Sequence, residues 1–156
     1  MSSTRRQILR ATGATLGASL APAAAAGPYQ LFWGDLHNHN AVGYAQGSLE
    51  RTYDIARSHL DFLAFTPHSQ WHDMPRMPND SHLKWVRGFE VLEKNWPMVQ
   101  KMAAESNKPG KFVSFLAYEW HSSHFGDYCL YYPGDGAPMA YHDHVRKLQQ
   151  HAREHK

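Results

Sequence analysis

Three short apolar runs, each separated from the next by a helical stretch, constrain this chain more than any other feature. Tyr29 to Leu36 is the first, Phe62-Leu63-Ala64-Phe65-Thr66 the second, and Phe112 to Trp120 the third. Between the first two, Ser48 offers an N-cap with Glu50 in the first turn. Leu49, Tyr53, Ala56 and Leu60 then follow at the spacing of one helix face. Between the second and third, Ser81 is positioned to cap a long stretch. Its apolar stripe is Trp85, Phe89, Leu92, Trp96, Val99 and Met102. Pro97 should kink that helix or divide it in two, because proline removes a backbone donor and crowds the preceding turn. Asn107-Lys108-Pro109-Gly110 ends it. Tyr128 to Tyr132 is a fourth strand, and His142 to His155 reads as helical. Strands alternating with helices predict an α/β fold with a parallel sheet, and near-continuous apolar runs suit buried parallel strands.

The first 26 residues read as an address. Thr4-Arg5-Arg6-Gln7-Ile8-Leu9-Arg10 resembles a twin-arginine export signal. The uncharged small and apolar run from Ala11 to Ala26 ends in Ala24-Ala25-Ala26, which suits cleavage before Gly27. That run is too short and too rich in Ala and Gly for a stable membrane span, which needs about 20 strongly apolar residues. The expectation is an exported protein, periplasmic or extracellular, with residues 1–26 as signal and 27–156 as one domain. Its partner for transport would be the twin-arginine machinery. Removing the signal takes three arginines and leaves 13 basic and 14 acidic residues. Such a balance implies no basic face for nucleic acid. The single cysteine, Cys129, excludes an internal disulfide and a cysteine-based zinc cluster, and it is expected to pack in its strand.

The chain has 12 histidines, an unusual number, and several fall at strand ends, where α/β folds place their chemistry. The first run ends in Asp35-Leu36-His37-Asn38-His39, the second in Thr66-Pro67-His68-Ser69, and the third in Tyr118-Glu119-Trp120-His121. Residues two apart on an extended segment share a face, so His37 and His39 can converge on one ion. Imidazole nitrogen with carboxylate oxygen suits Zn, Mn or Fe. Glu119 has two oxygens and can bridge ions, and Asp35 can orient a ligand histidine. His121 and His124, just beyond Glu119, are further candidates to face the site. His72, beside Asp73 after the second strand, is a candidate for substrate contact. His142 and His144 are weaker candidates for a later site histidine.

Phe32-Trp33-Gly34-Asp35-Leu36-His37-Asn38-His39 resembles the first motif of the PHP (polymerase and histidinol phosphatase) superfamily. Asp61-Phe62-Leu63-Ala64-Phe65-Thr66-Pro67-His68 resembles its second motif, and Phe115-Leu116-Ala117-Tyr118-Glu119-Trp120 the segment that gives a bridging glutamate. The wording is closest to an exported branch described as a domain of unknown function. The resemblance implies a distorted (β/α)7 barrel with a divalent metal centre, and metal-activated water acting on a phosphoester or related bond of a small-molecule substrate. It implies His37 and His39 on a first ion, Glu119 bridging to a second, and His68 serving a further ion; Glu119 and His68 are then the nearest catalytic candidates. Pro67 stands where the family usually has aspartate, and residues 40–46 lack the further histidine of three-metal members. Two ions are therefore the expectation. A (β/α)8-type barrel takes roughly 250 residues, more than this chain has. The chain is therefore expected to be the amino-terminal part of such a domain, lacking the later motifs. The alternatives are an exported metal-binding protein or an inactive remnant.

Overall fold

The computed structural model describes residues 29–43, 45–74 and 83–155. The proposed signal, residues 1–26, lies outside the described residues, as do Ser81 and the loop with Pro75 and Pro78. The elements run β1 (Gly34–Asp35), α1 (Leu49–His59), β2 (Phe62–Phe65), β3 (His68–Trp71), α2 (Leu83–Ser106), β4 (Val113–His121), β5 (Tyr128–Tyr132) and α3 (Val145–Glu154). The result is a mixed α/β structure with three helices and a five-stranded sheet among the described residues. β1 pairs parallel with β2 and β2 with β4, as the alternation predicts, and a further strand, β3, also pairs parallel with β4. β5 returns antiparallel on β4.

β2 and β3 share one partner. Phe62 lies opposite Val113 and His68 opposite Glu119, so the two strands follow one another along β4 in a single register before it slips near Trp71. The sequence pattern ended the second strand at Pro67. Pro67 interrupts it instead: proline has no N–H to give, but its carbonyl still accepts the Glu119 N–H at 3.0 Å. The nine residues of β4 offer enough edge for pairing to resume at His68.

The first apolar run forms much less strand than its composition suggests, because pairing is confined to Gly34 and Asp35. Tyr29, Leu31, Phe32 and Trp33 are all exposed. Asp61 fixes the entry to β1, its carboxylate accepting the Trp33 N–H at 2.9 Å while its own N–H donates to the Trp33 carbonyl at 2.6 Å.

α1 forms as its spacing predicts. Ser48 accepts the Arg51 N–H at 3.2 Å, and Leu49, Tyr53 and Ala56 are buried. α2 continues through Pro97 as one helix and is not divided there. Leu92, Val99 and Ala103 on either side of Pro97 are all buried, so packing against the core holds the helix across the lost donor. α3 begins three residues later than the pattern suggests. His144 is its N-cap and accepts the Arg146 N–H at 3.1 Å.

One apolar cluster unites α1 and α2 with Leu63 and Phe65 of β2, Leu116, Tyr118 and Trp120 of β4, and Leu130 and Tyr132 of β5. Strand side chains alternate between faces, so Glu119 and His121 project from the face away from the helices. No helix among the described residues is long and apolar enough to cross a membrane.

Candidate metal centre

Four segments deliver side chains to one spot on the helix-free face. His37 and His39 follow β1, His68 opens β3, Glu119 and His121 end β4, and Cys129 lies in β5. His68 and Cys129 are the register partners of Glu119 on its two sides. The row His68–Glu119–Cys129 thus crosses three adjacent strands.

The Glu119 carboxylate is the common centre. Its Oε2 lies 3.1 Å from His68 Nδ1, 3.5 Å from His39 Nε2 and 3.7 Å from His121 Nε2, and Oε1 lies 3.9 Å from His37 Nε2. His37 and His39 meet through their Nε2 atoms at 3.3 Å. The His39 and His68 rings stack at 4.1 Å, and His68 stacks in turn on His121 at 4.4 Å, with His68 Nδ1 in contact with His121 Nε2. Among the described residues, three groups have one ligand atom per residue, all within 4.8 Å of one another: His39–His68–Glu119, His37–Glu119–Cys129 and Glu119–His121–Asp127. Glu119 belongs to all three.

Backbone and side-chain contacts fix this arrangement. Asp35 accepts the backbone N–H of His37 at 3.0 Å, so its carboxylate shapes the turn and does not hold a ring nitrogen of His37. Thr66 Oγ1 lies 3.0 Å from His37 Nδ1 and also accepts the Asn38 N–H at 3.1 Å. Asp127 Oδ1 lies 3.0 Å from His121 Nδ1, which turns the other nitrogen of that ring toward Glu119.

Asp73 secures the turn between β4 and β5. It accepts from Ser122 Oγ at 2.7 Å, from the Ser123 N–H at 2.8 Å and from the His124 N–H at 3.1 Å. Burial alone would raise its pKa, but these three bonds overcome that and hold the carboxyl at about 2.

The electrostatics favour lone-pair donors. Burial, then the neighbouring His37 and His121, lowers His39 to about 4. Burial, then His121 and His39, lowers His68 to about 2. Burial also lowers His121, against the pull of Asp127. Burial, followed by the negative charge of Asp127, raises Glu119 to about 7. These shifts favour the uncharged imidazole of His39, His68 and His121 at neutral pH, the form that binds metal, and bring the Glu119 carboxyl toward its ionisation point. Oε2 of Glu119 is buried with no hydrogen-bond partner. Uncharged imidazoles around such an oxygen suit a divalent cation.

Among the residues singled out from sequence, His37, His39, His68, Glu119 and His121 come together. Asp35 supports them from the turn. His124 lies outside, its ring packed edge-on to Phe125 at 4.5 Å. His72 stacks on Trp120 at 5.6 Å, also outside. His142 sits beside His151 and away from the cluster. Cys129 and Asp127 join the site without having been singled out for it. A signal existed: ten residues separate Glu119 from Cys129, and a tight return between β4 and β5 puts them opposite one another. A separate cavity of about 960 Å³ lies toward the amino-terminal ends of the strands, lined by Leu31, Phe32, Phe62, Phe112 and Phe115 among others, and includes no residue of the cluster.

The class of protein defined so far is an α/β domain with a histidine–glutamate cluster able to hold a metal ion. Residues 56–128, which carry β2 to the start of β5, match the model of a family described as a protein of unknown function (DUF3604). No curated protein and no solved structure matches the chain.

Proposed function

We propose that this chain is a metal-dependent hydrolase of the PHP type, acting on a phosphoester or related bond of a small-molecule substrate. The observation that carries this reading is the convergence of His37, His39, His68 and Glu119 from separate strand ends. Their donor set of imidazole and carboxylate suits Zn, Mn or Fe. His39 and His68 would share one ion with Glu119, and His37 would serve a second across the same carboxylate. Bound there, a divalent ion would supply Lewis-acid activation of water and stabilise the charge developing on the substrate. Glu119, with Oε2 toward His39 and His68 and Oε1 toward His37, would contribute to both positions. His121, its Nδ1 held by Asp127, presents Nε2 toward the cluster and is the residue best placed to hold or pass a proton there. The substrate would approach past His37, whose side chain is half exposed.

The same proposal takes the sheet as part of a distorted (β/α)7 barrel, with the cluster facing its interior. It takes residues 1–26 as a twin-arginine signal, a route that carries folded protein and so allows metal to be loaded before export. The test is elemental analysis of the purified chain together with an assay on a panel of aryl phosphomonoesters and phosphodiesters. Stoichiometric metal and turnover, both lost in the His37→Ala, His39→Ala double variant, are the expected result. Metal without turnover across the panel would favour an exported metal-binding protein. Absence of stoichiometric metal would overturn the proposal.

A further inference from the structure

Cys129 faces Glu119 directly across the β4–β5 pairing, on the face that carries the cluster. Its sulfur lies 3.1 Å from His37 Nδ1. A ring nitrogen of His37, the sulfur and one Glu119 oxygen lie within 4.8 Å of one another. The Glu119 side chain is only 8% exposed, and its Oε1 lies 3.9 Å from His37 Nε2. A cysteine that merely filled space in β5 would be expected among apolar side chains. This one lies against an imidazole nitrogen and a buried carboxylate, which is the company of a ligand.

We propose that Cys129 is itself a metal ligand, completing with His37 and Glu119 a nitrogen–oxygen–sulfur position beside the one formed by His39, His68 and Glu119. The inference rests on the metal reading above and adds a ligand and a selectivity to it. On binding, the thiol gives its proton to solvent and the sulfur donates a lone pair to the ion, so no oxidant or reductant is needed. Thiolate favours thiophilic ions of the Zn(II) and Co(II) kind. Mg(II) prefers oxygen in a near-octahedral shell and keeps several waters. This position should therefore take Zn(II) or Co(II) and remain indifferent to Mg(II). The one sulfur would also distinguish it chemically from its neighbour.

Because Cys129 is the sole cysteine, every thiol signal reports on it alone. The full chain would be titrated with Co(II), and its thiolate-to-cobalt charge-transfer band followed alongside the weaker visible d–d bands. The expected result is both sets of bands in the parent chain. Cys129→Ser should lose the charge-transfer band and keep d–d absorption from the neighbouring position. In the parent chain, Zn(II) should slow alkylation of the thiol by iodoacetamide, and excess Mg(II) should not. That second measurement needs no variant and holds even if Cys129→Ser folds poorly. Visible bands without charge transfer, together with alkylation indifferent to Zn(II), would overturn the role of Cys129 and leave the metal reading standing. No cobalt bands and no retention of Co(II) in equilibrium dialysis would overturn both.

Discussion

Replacing Glu119 with glutamine should stabilise the metal-free chain at alkaline pH, even though the residue lies at the centre of the candidate site. A carboxyl at about 7 in the folded chain, against an ordinary value of 4.5, binds its proton more tightly when folded. Between those pH values the folded state holds more protons than the unfolded one, so stability falls as pH rises. At about 1.4 kcal/mol per pH unit the loss approaches 3 kcal/mol once the group is fully ionised. Glutamine keeps the shape and never ionises. In the presence of EDTA, Glu119→Gln should therefore be more stable than the parent by up to about 3 kcal/mol near pH 8, and about equal to it near pH 4.5. His39 and His68 have depressed pKa values, so their contributions are lost as pH falls below the ordinary histidine range, but this happens in parent and variant alike and largely cancels in the difference. Urea unfolding followed by tryptophan fluorescence gives the numbers. Saturating Zn(II) should reverse the order, since only the parent has the carboxylate. A variant less stable than the parent in EDTA near pH 8, or a difference that does not change with pH, would refute the reasoning.

Other perturbations probe the supports of the site. Asp127→Asn weakens the hold on His121 Nδ1 and should reduce turnover about 10- to 100-fold while leaving metal content unchanged, read by steady-state assay beside elemental analysis. Asp73, held at about 2 against an ordinary 3.8, contributes stability that is present above the ordinary value and lost as pH falls toward 2. Its side chain is 26% exposed, so Asp73→Asn should cost no more than about 2 kcal/mol at neutral pH, with parent and variant converging in acid unfolding curves. A Cβ at Gly34 would overlap the Phe62 ring. Gly34→Ala should therefore destabilise by about 1 kcal/mol, the low end for overpacking, because that ring is only partly buried and has room to turn; thermal unfolding measures it.

What could be read in the sequence follows the strength of local signals. α1 announced itself through Ser48 and the face made by Leu49, Tyr53 and Ala56, all of which act within a few residues. The bounds of β5 and the core of β4 were equally plain, because Pro133-Gly134 and Pro109-Gly110 flank apolar runs. β3 was not legible: His68-Ser69-Gln70-Trp71 has no strand pattern of its own and is held by the edge that β4 offers. Tyr29 to Phe32 has strand composition but lies outside the strand pairing that begins at Gly34. In the candidate site, His37, His39, His68 and Glu119 stood out because they sit where strands end. Cys129 was read as packing, and its contact with His37 joins residues 92 apart in the chain. Asp73 reaches Ser122 and Ser123, about fifty residues further along the chain, a contact that no local pattern encodes.

The pairing of β4 with β5 has a consequence for the order in which the centre assembles. It is a local hairpin, closed by the six residues from Ser122 to Asp127, whereas every other pairing of β4 spans about fifty residues of chain. Closing a short loop takes far less time than recruiting a distant strand. Glu119, His121, Asp127 and Cys129 all belong to that hairpin. Glu119 and Cys129, two of the five proposed ligands, can thus be brought together while His37, His39 and His68 are still in transit.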